Sequence, residues 1–208
     1  MKLAICYDTE TQCLPLYKER SHHPDQPHIV QLAAHLVDLN ERKVVSTMNL
    51  IVKPEGWEIP EETAAIHGIT TEMAMDVGIP EEEVLNVFMS LWNRRLRIAH
   101  NDAFDARIIR IGLKRFFPDD EMLIKQWEDG GRYCTLLKSK PIIKLPPTEK
   151  MKKSRFKNSF KPPNLGEAYK FFTGNNLEGA HNALVDIDAC LAVYYGIQDR
   201  DMDDIMPF

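Results

Sequence analysis

Asp8-Thr9-Glu10 follows the first apolar run of the chain, Leu3-Ala4-Ile5-Cys6-Tyr7. Strand side chains alternate, so residues two apart share a face, and both carboxylates project from one side of the strand's end. Adjacent carboxylates repel, and burying them unpaired is costly. A divalent cation relieves both problems, because it prefers hard oxygen ligands. An isolated D-x-E is more often a solvated turn, so its meaning depends on whether other ligands come from elsewhere. Two sites offer them. In His100-Asn101-Asp102-Ala103-Phe104-Asp105, Asp105 falls in the first turn of a helix at a strand-to-helix junction. Open α/β sheets place sites there, although a first-turn acid also complements the helix dipole. In His181-Asn182-Ala183-Leu184-Val185-Asp186, His181 precedes a helix and Asp186 lies in its second turn. Asp188, about 200° further round, faces away.

The elements that must gather these residues are legible in outline. His28–Leu39 and Val44–Val52 read as two strands joined by a turn at 40–43, which makes three strands in succession. Glu61–His67 reads as a short helix stopped by Gly68, and the segment from Pro80 to Trp92 as a helix with acids in its first turn. Leu96–Ala99 reads as a short strand, Ala103–Phe117 as a helix stopped by Pro118, and Arg132–Leu137 as the last strand. Leu165–Phe172 and Asn182–Ile197 read as helices. Strands followed by alternating helix and strand imply an α/β fold with a mixed sheet.

The chain's 208 residues, 44% hydrophobic, suit one domain with a sizeable core. No apolar run reaches the roughly 18 residues of a membrane span, and Asp8 comes too early for a signal peptide's apolar core. Cys6, Cys13, Cys134 and Cys190 are scattered, which argues for a reducing compartment and against a zinc cluster or a disulfide framework. Net charge is −5, yet Lys138–Lys161 carries nine Lys and Arg against the single acid Glu149. This Pro- and Lys-rich stretch reads as a long loop, and an acidic body with one basic segment points to a localised polyanion contact.

Asp8-Thr9-Glu10, Asn101 with Asp105, and His181 with Asp186 resemble the three motifs of the DnaQ-like 3′–5′ exonucleases of the DEDDh subclass. The flanking residues Ile66-His67-Gly68-Ile69-Thr70 and Leu165-Gly166-Glu167-Ala168-Tyr169 agree, and the resemblance runs from about Leu3 to Ile197. It implies an RNase H-like fold with a five-stranded mixed sheet flanked by helices. It also implies that Asp8, Glu10, Asp105 and Asp186 hold two divalent cations, Mg²⁺ or Mn²⁺, with His181 as general base. The product implied is a nucleoside 5′-monophosphate released from a 3′ end, and Thr9, His67, Asn101 and Phe104 are implied neighbours of the substrate. Within the family the match is nearest to the proofreading exonucleases of bacterial replicases or a phage-borne relative. Single-stranded DNA in a bacterial or phage-infected cytoplasm is then the expected substrate. A 3′–5′ exoribonuclease and a non-catalytic DNA-end-binding module are the alternatives; the latter is disfavoured because all five site residues are present.

Two departures follow the motifs. The loop Thr11–Pro27 is long and proline-bearing where the family has a tight turn, and the basic segment is extended. Lys150, Lys152, Lys153, Arg155 and Lys157 are expected on a phosphate backbone. The expected organisation is an exonuclease domain over 1–198, with a basic insertion at about 138–161, and an acidic tail over 199–208. That tail ends Asp203-Asp204-Ile205-Met206-Pro207-Phe208 and resembles the tip of bacterial single-stranded-DNA-binding proteins. The resemblance implies a partner among a DNA polymerase or the proteins that bind such tips.

Overall fold

A computed structural model describes residues 1–205. Its centre is a five-stranded sheet in the order β3-β2-β1-β4-β5. The central strand β1 (Leu3–Thr11) pairs antiparallel with β2 (Ile29–Asp38), from Leu3↔Asp38 to Glu10↔Gln31. β2 pairs antiparallel with β3 (Lys43–Ile51). Three helices follow: α1 (Glu61–His67), α2 (Thr71–Val77) and α3 (Glu81–Trp92). Strand β4 (Leu96–Ala99) then lies parallel to β1 on its other side. Helices α4 (Asp102–Phe116) and α5 (Glu121–Asp129) lead to β5 (Arg132–Cys134), parallel to β4. The chain closes with α6 (Thr135–Ile143), α7 (Glu149–Lys152), α8 (Leu165–Thr173) and α9 (Ala183–Ile205).

Alternation along β1 divides the core. Ile5 and Tyr7 pack with Val84, Phe88, Trp92, Ile108, Ile109 and Trp127 on the face covered by α3, α4 and α5. Ala4 and Cys6 pack with Ala183, Ile187, Cys190 and Tyr194 on the face covered by α9. Continued by two residues, the same alternation carries Thr9 toward α4 and Asp8 and Glu10 toward α9. The architecture is the five-stranded mixed sheet with flanking helices expected above.

Asp8 and Glu10 stand on the end of the first strand as expected, held extended by pairing to β2 up to an irregularity at Glu10/Thr11. Several other local expectations change. Of Arg132–Leu137 only Arg132–Cys134 is strand; Thr135 begins α6, so Lys138 and Lys140 lie on a helix and not in a loop. Thr71–Val77 and Glu121–Asp129 are additional helices, capped by the side chains of Thr70 and Asp120. α9 continues past the expected boundary at 198 to Ile205, and Asp199 pairs with Arg42 of the β2–β3 turn. The expected tail therefore begins inside a helix: Asp203, Asp204 and Ile205 are its last residues, while Pro207 and Phe208 lie outside the described residues.

Candidate active site

Three elements deliver the acids to the C-terminal edge of β1. Asp8 and Glu10 stand on β1 itself. Asp105 sits buried in the first turn of α4, where it accepts from both the backbone N–H (3.1 Å) and the hydroxyl (2.8 Å) of Thr9. Asp186 lies buried on α9, and its Oδ2 accepts from the backbone N–H of His181 at 3.0 Å. That bond holds the turn before α9, where His181 has φ 67° and Gly179 φ 71°. The fold brings ligating atoms of Glu10, His181 and Asp186 within 4.8 Å of one another, with the His181 side chain exposed to solvent.

The carboxylates repel one another and are short of partners. Burial, reinforced by Asp105, Glu10 and Asp186, pushes Asp8 well above the usual carboxylate range. Burial, with Asp186 and Asp105 beside it, raises Glu10 to about 8. Asp105 rises to about 7, again through burial, although its bonds from Thr9 pull it back down. Asp186 is raised by burial and eased by His181. Among the described residues no Lys or Arg pairs with any of the four, and Asp186 Oδ1 is buried with no hydrogen-bond partner. Converging anionic oxygens, one of them unsatisfied, form a donor set that fits a hard divalent cation.

The remaining expected residues divide. Thr9 is buried and its hydroxyl donates to Asp105, so it supports that carboxylate. His67 closes α1 before Gly68; its Nδ1 accepts from Ile69 N–H and its buried Nε2 has no partner. Burial, then the nearby His181, lowers its pKa. Asn101 is an exposed αL residue preceding α4, and its side chain makes no capping bond. Phe104 is half-buried against the α3–α5 core. Lys150, Lys152, Lys153, Arg155 and Lys157 are exposed, Lys152 with Glu149 at 2.7 Å.

Sequence reasoning missed the supports. Tyr7 donates to buried Asp102 at 3.2 Å. His100 bridges Thr135 Oγ1 (2.9 Å) and the Pro163 carbonyl (3.1 Å), so the chain returning to α8 is tied to the end of β4. Arg107, Arg110 and Arg115 reach from α4 to the loop after β1, contacting the Leu16, Glu19 and Gln26 carbonyls and Ser21 Oγ. The signal for these arginines is their recurrence on one helix opposite a long polar loop.

The same architecture recurs in solved structures. E. coli exonuclease I in complex with a 5cy-dT13 oligonucleotide superimposes with a TM-score of 0.73 at 20% identity, over 97% of this chain and 42% of that one. A zinc-bound form of the E. coli exonuclease I–ssDNA complex gives 0.72 at 20% identity, over 97% and 42%. At that identity the likeness speaks for the fold. In sequence, 92 residues are 30% identical to DNA polymerase III PolC-type of Thermotoga petrophila, 44% of this chain and 6% of that protein. The chain thus spans about two fifths of exonuclease I and a small fraction of the polymerase. A family model described as Exonuclease (RNase T) matches residues 5–194, from the first residues of β1 to the turn of α9 that carries Tyr194. The chain belongs to this exonuclease family.

Proposed function

We propose that this chain is a divalent-metal-dependent 3′–5′ exonuclease that releases nucleoside 5′-monophosphates from single-stranded DNA ends, as in proofreading. The observation that carries the reading is the convergence of Glu10, His181 and Asp186 ligating atoms within 4.8 Å, beside Asp8 and Asp105, with no Lys or Arg paired to these acids among the described residues. The fold shared with exonuclease I, whose structures include single-stranded DNA complexes, supports the substrate class.

In this reading Asp8, Glu10, Asp105 and Asp186 hold Mg²⁺ or Mn²⁺. Cations held there would supply electrostatic stabilisation of the charge that develops in an in-line displacement at phosphorus. His181, exposed at the mouth of the site, takes the proton of the attacking water, a task suited to an imidazole near neutral pH. The Asp186–His181 backbone bond fixes the turn that presents this ring, and Thr9 fixes the rotamer of Asp105. His67, which lies near His181 and whose Nε2 has no hydrogen-bond partner among the described residues, is assigned to the terminal nucleotide, with Asn101 and Phe104 at the α4 side.

Linear and covalently closed circular single strands, in DNA and in RNA, test the proposal. With Mn²⁺ the linear DNA is shortened to mononucleotides, the circle survives, and RNA is degraded more slowly. Cleavage of the circle contradicts an exonuclease, and faster loss of RNA than of DNA contradicts the substrate assignment.

A further inference from the structure

Residues 146–160 leave the fold and return at nearly the same place. Lys161 N–H donates to the Leu145 carbonyl at 3.0 Å and closes the loop. The returning chain is fixed at once: the Pro163 carbonyl meets His100 Nε2, Asn164 and Glu167 form a capping box at α8, and Lys161 pairs with Glu167. His100 directly follows β4, and β4 runs parallel to β1. The loop is therefore anchored at the sheet edge that carries the acids.

Within it, α7 is capped by Thr148, and turns follow at Met151–Ser154, Ser154–Lys157 and Phe156–Ser159. Lys150, Lys153, Arg155 and Lys157 are exposed. So are two large apolar rings, Phe156 at 48% and Phe160 at 42%. Neither belongs to a core cluster among the described residues. The Arg155 guanidinium lies 4.9 Å from the Phe156 ring centroid. Cations interleaved with exposed aromatic faces match a single strand, whose phosphates take the charge and whose bases stack without regard to sequence.

We propose that residues 146–160 are an arm that holds single-stranded DNA beside the acidic site, with Phe156 and Phe160 stacking on bases and Lys150, Lys153, Arg155 and Lys157 neutralising phosphates. The arm deepens the exonuclease reading and rests on it for its purpose, but its binding is measured separately, in EDTA.

The test compares the full-length wild type, F156A/F160A, F156W/F160W and K150Q/K153Q/R155Q/K157Q by fluorescence anisotropy with oligothymidine of about 20 nucleotides, a length that spans a stacking site and its flanks, across a salt series. F156A/F160A weakens binding by about tenfold or more at unchanged salt dependence, and the tryptophan variant restores it. The charge variant flattens the slope of log affinity against log salt by up to about 3, near 0.7 for each phosphate no longer neutralised. Both sets of positions are solvent-exposed, and circular dichroism confirms that the variants fold. Hydrolysis of a dinucleotide in Mn²⁺, too short to reach the arm, is equal in wild type and F156A/F160A. Wild-type affinity in F156A/F160A, or an unchanged slope in the charge variant, overturns the proposal. A single strand of about 20 nucleotides left intact by wild type in Mn²⁺ counts against the exonuclease reading, while the anisotropy result still decides whether the arm binds DNA.

Discussion

Glu10 and Asp105 hold protons in the metal-free protein at pH values where free carboxyls have lost them, because burial beside other acids raises them to about 8 and about 7. Raised carboxyl pKa values mean that the folded state binds more protons than the unfolded one between each group's ordinary and raised pKa. Stability therefore falls as pH rises from the ordinary carboxyl range through the folded pKa. In EDTA the melting temperature is expected to drop by about 5 °C or more between about pH 5 and pH 8. Glu10→Gln flattens that decline. Mn²⁺ raises Tm more at the higher pH, where it no longer competes with protons. A pH-independent Tm in EDTA contradicts this picture. His181→Ala is expected to lower kcat by about 10²–10⁴-fold. Thr9→Val removes one of the two bonds that orient Asp105. Titration calorimetry should then show Mn²⁺ bound about tenfold more weakly, with Thr9→Ser restoring the wild-type value. Asp8, Glu10, Asp105, Asp186 and His181 were legible because the order and spacing of three short motifs resemble those of a known family. The role of Thr9 was not, because its neighbour across the sheet edge comes from residue 105 and depends on which face of β1 each side chain takes.

Helix α4 serves two purposes: its first turn presents Asp105, and its arginines fasten the loop after β1. Arg115 donates to the Gln26 carbonyl at 2.6 Å and lies 3.5 Å from the buried Glu81, which also meets His28 at 2.6 Å and the Ile29 N–H at 3.2 Å. Arg115→Met leaves that acid without its permanent cation and is expected to cost roughly 2–4 kcal/mol in urea unfolding. A loss below the measurement error contradicts the assignment. On the opposite layer, Gly196 of α9 lets α8 approach so closely that an added Cβ would lie 2.7 Å from a Phe172 ring carbon. Gly196→Ala is expected to cost about 1–3 kcal/mol by overpacking. At this scale the long periodic elements, α3, α4, α8 and the start of α9, were readable from apolar spacing. The short ones were not. Tyr133-Cys134-Thr135-Leu136-Leu137 has the composition of a strand, yet only its first part pairs with β4. α2 and α5, of seven and nine residues, depend on single caps at Thr70 and Asp120 that resemble ordinary polar loop residues.

Across the whole molecule, the site exists only because the sheet order puts β1 at the centre, with α4 packed on one face and α9 on the other. Residues from position 8 to position 186 meet there, so no local stretch of sequence contains the site. What identified it was the order of three weak motifs, each set at the end of an apolar element. The charge pattern has the same scale: acids gathered at one sheet edge, with the basic loop anchored beside them through His100 and Pro163. The central claim is that the gathered carboxylates, through a divalent cation, shorten a DNA strand from its 3′ end. Wild type and Asp186→Ala acting on a 5′-labelled single strand, with Mn²⁺ and with EDTA, test it most directly. Wild type with Mn²⁺ should yield a ladder shortened one nucleotide at a time from the 3′ end, accompanied by free 5′-monophosphates. EDTA or Asp186→Ala should leave the strand intact over the same period. The same ladder in EDTA, or undiminished in Asp186→Ala, would contradict the account.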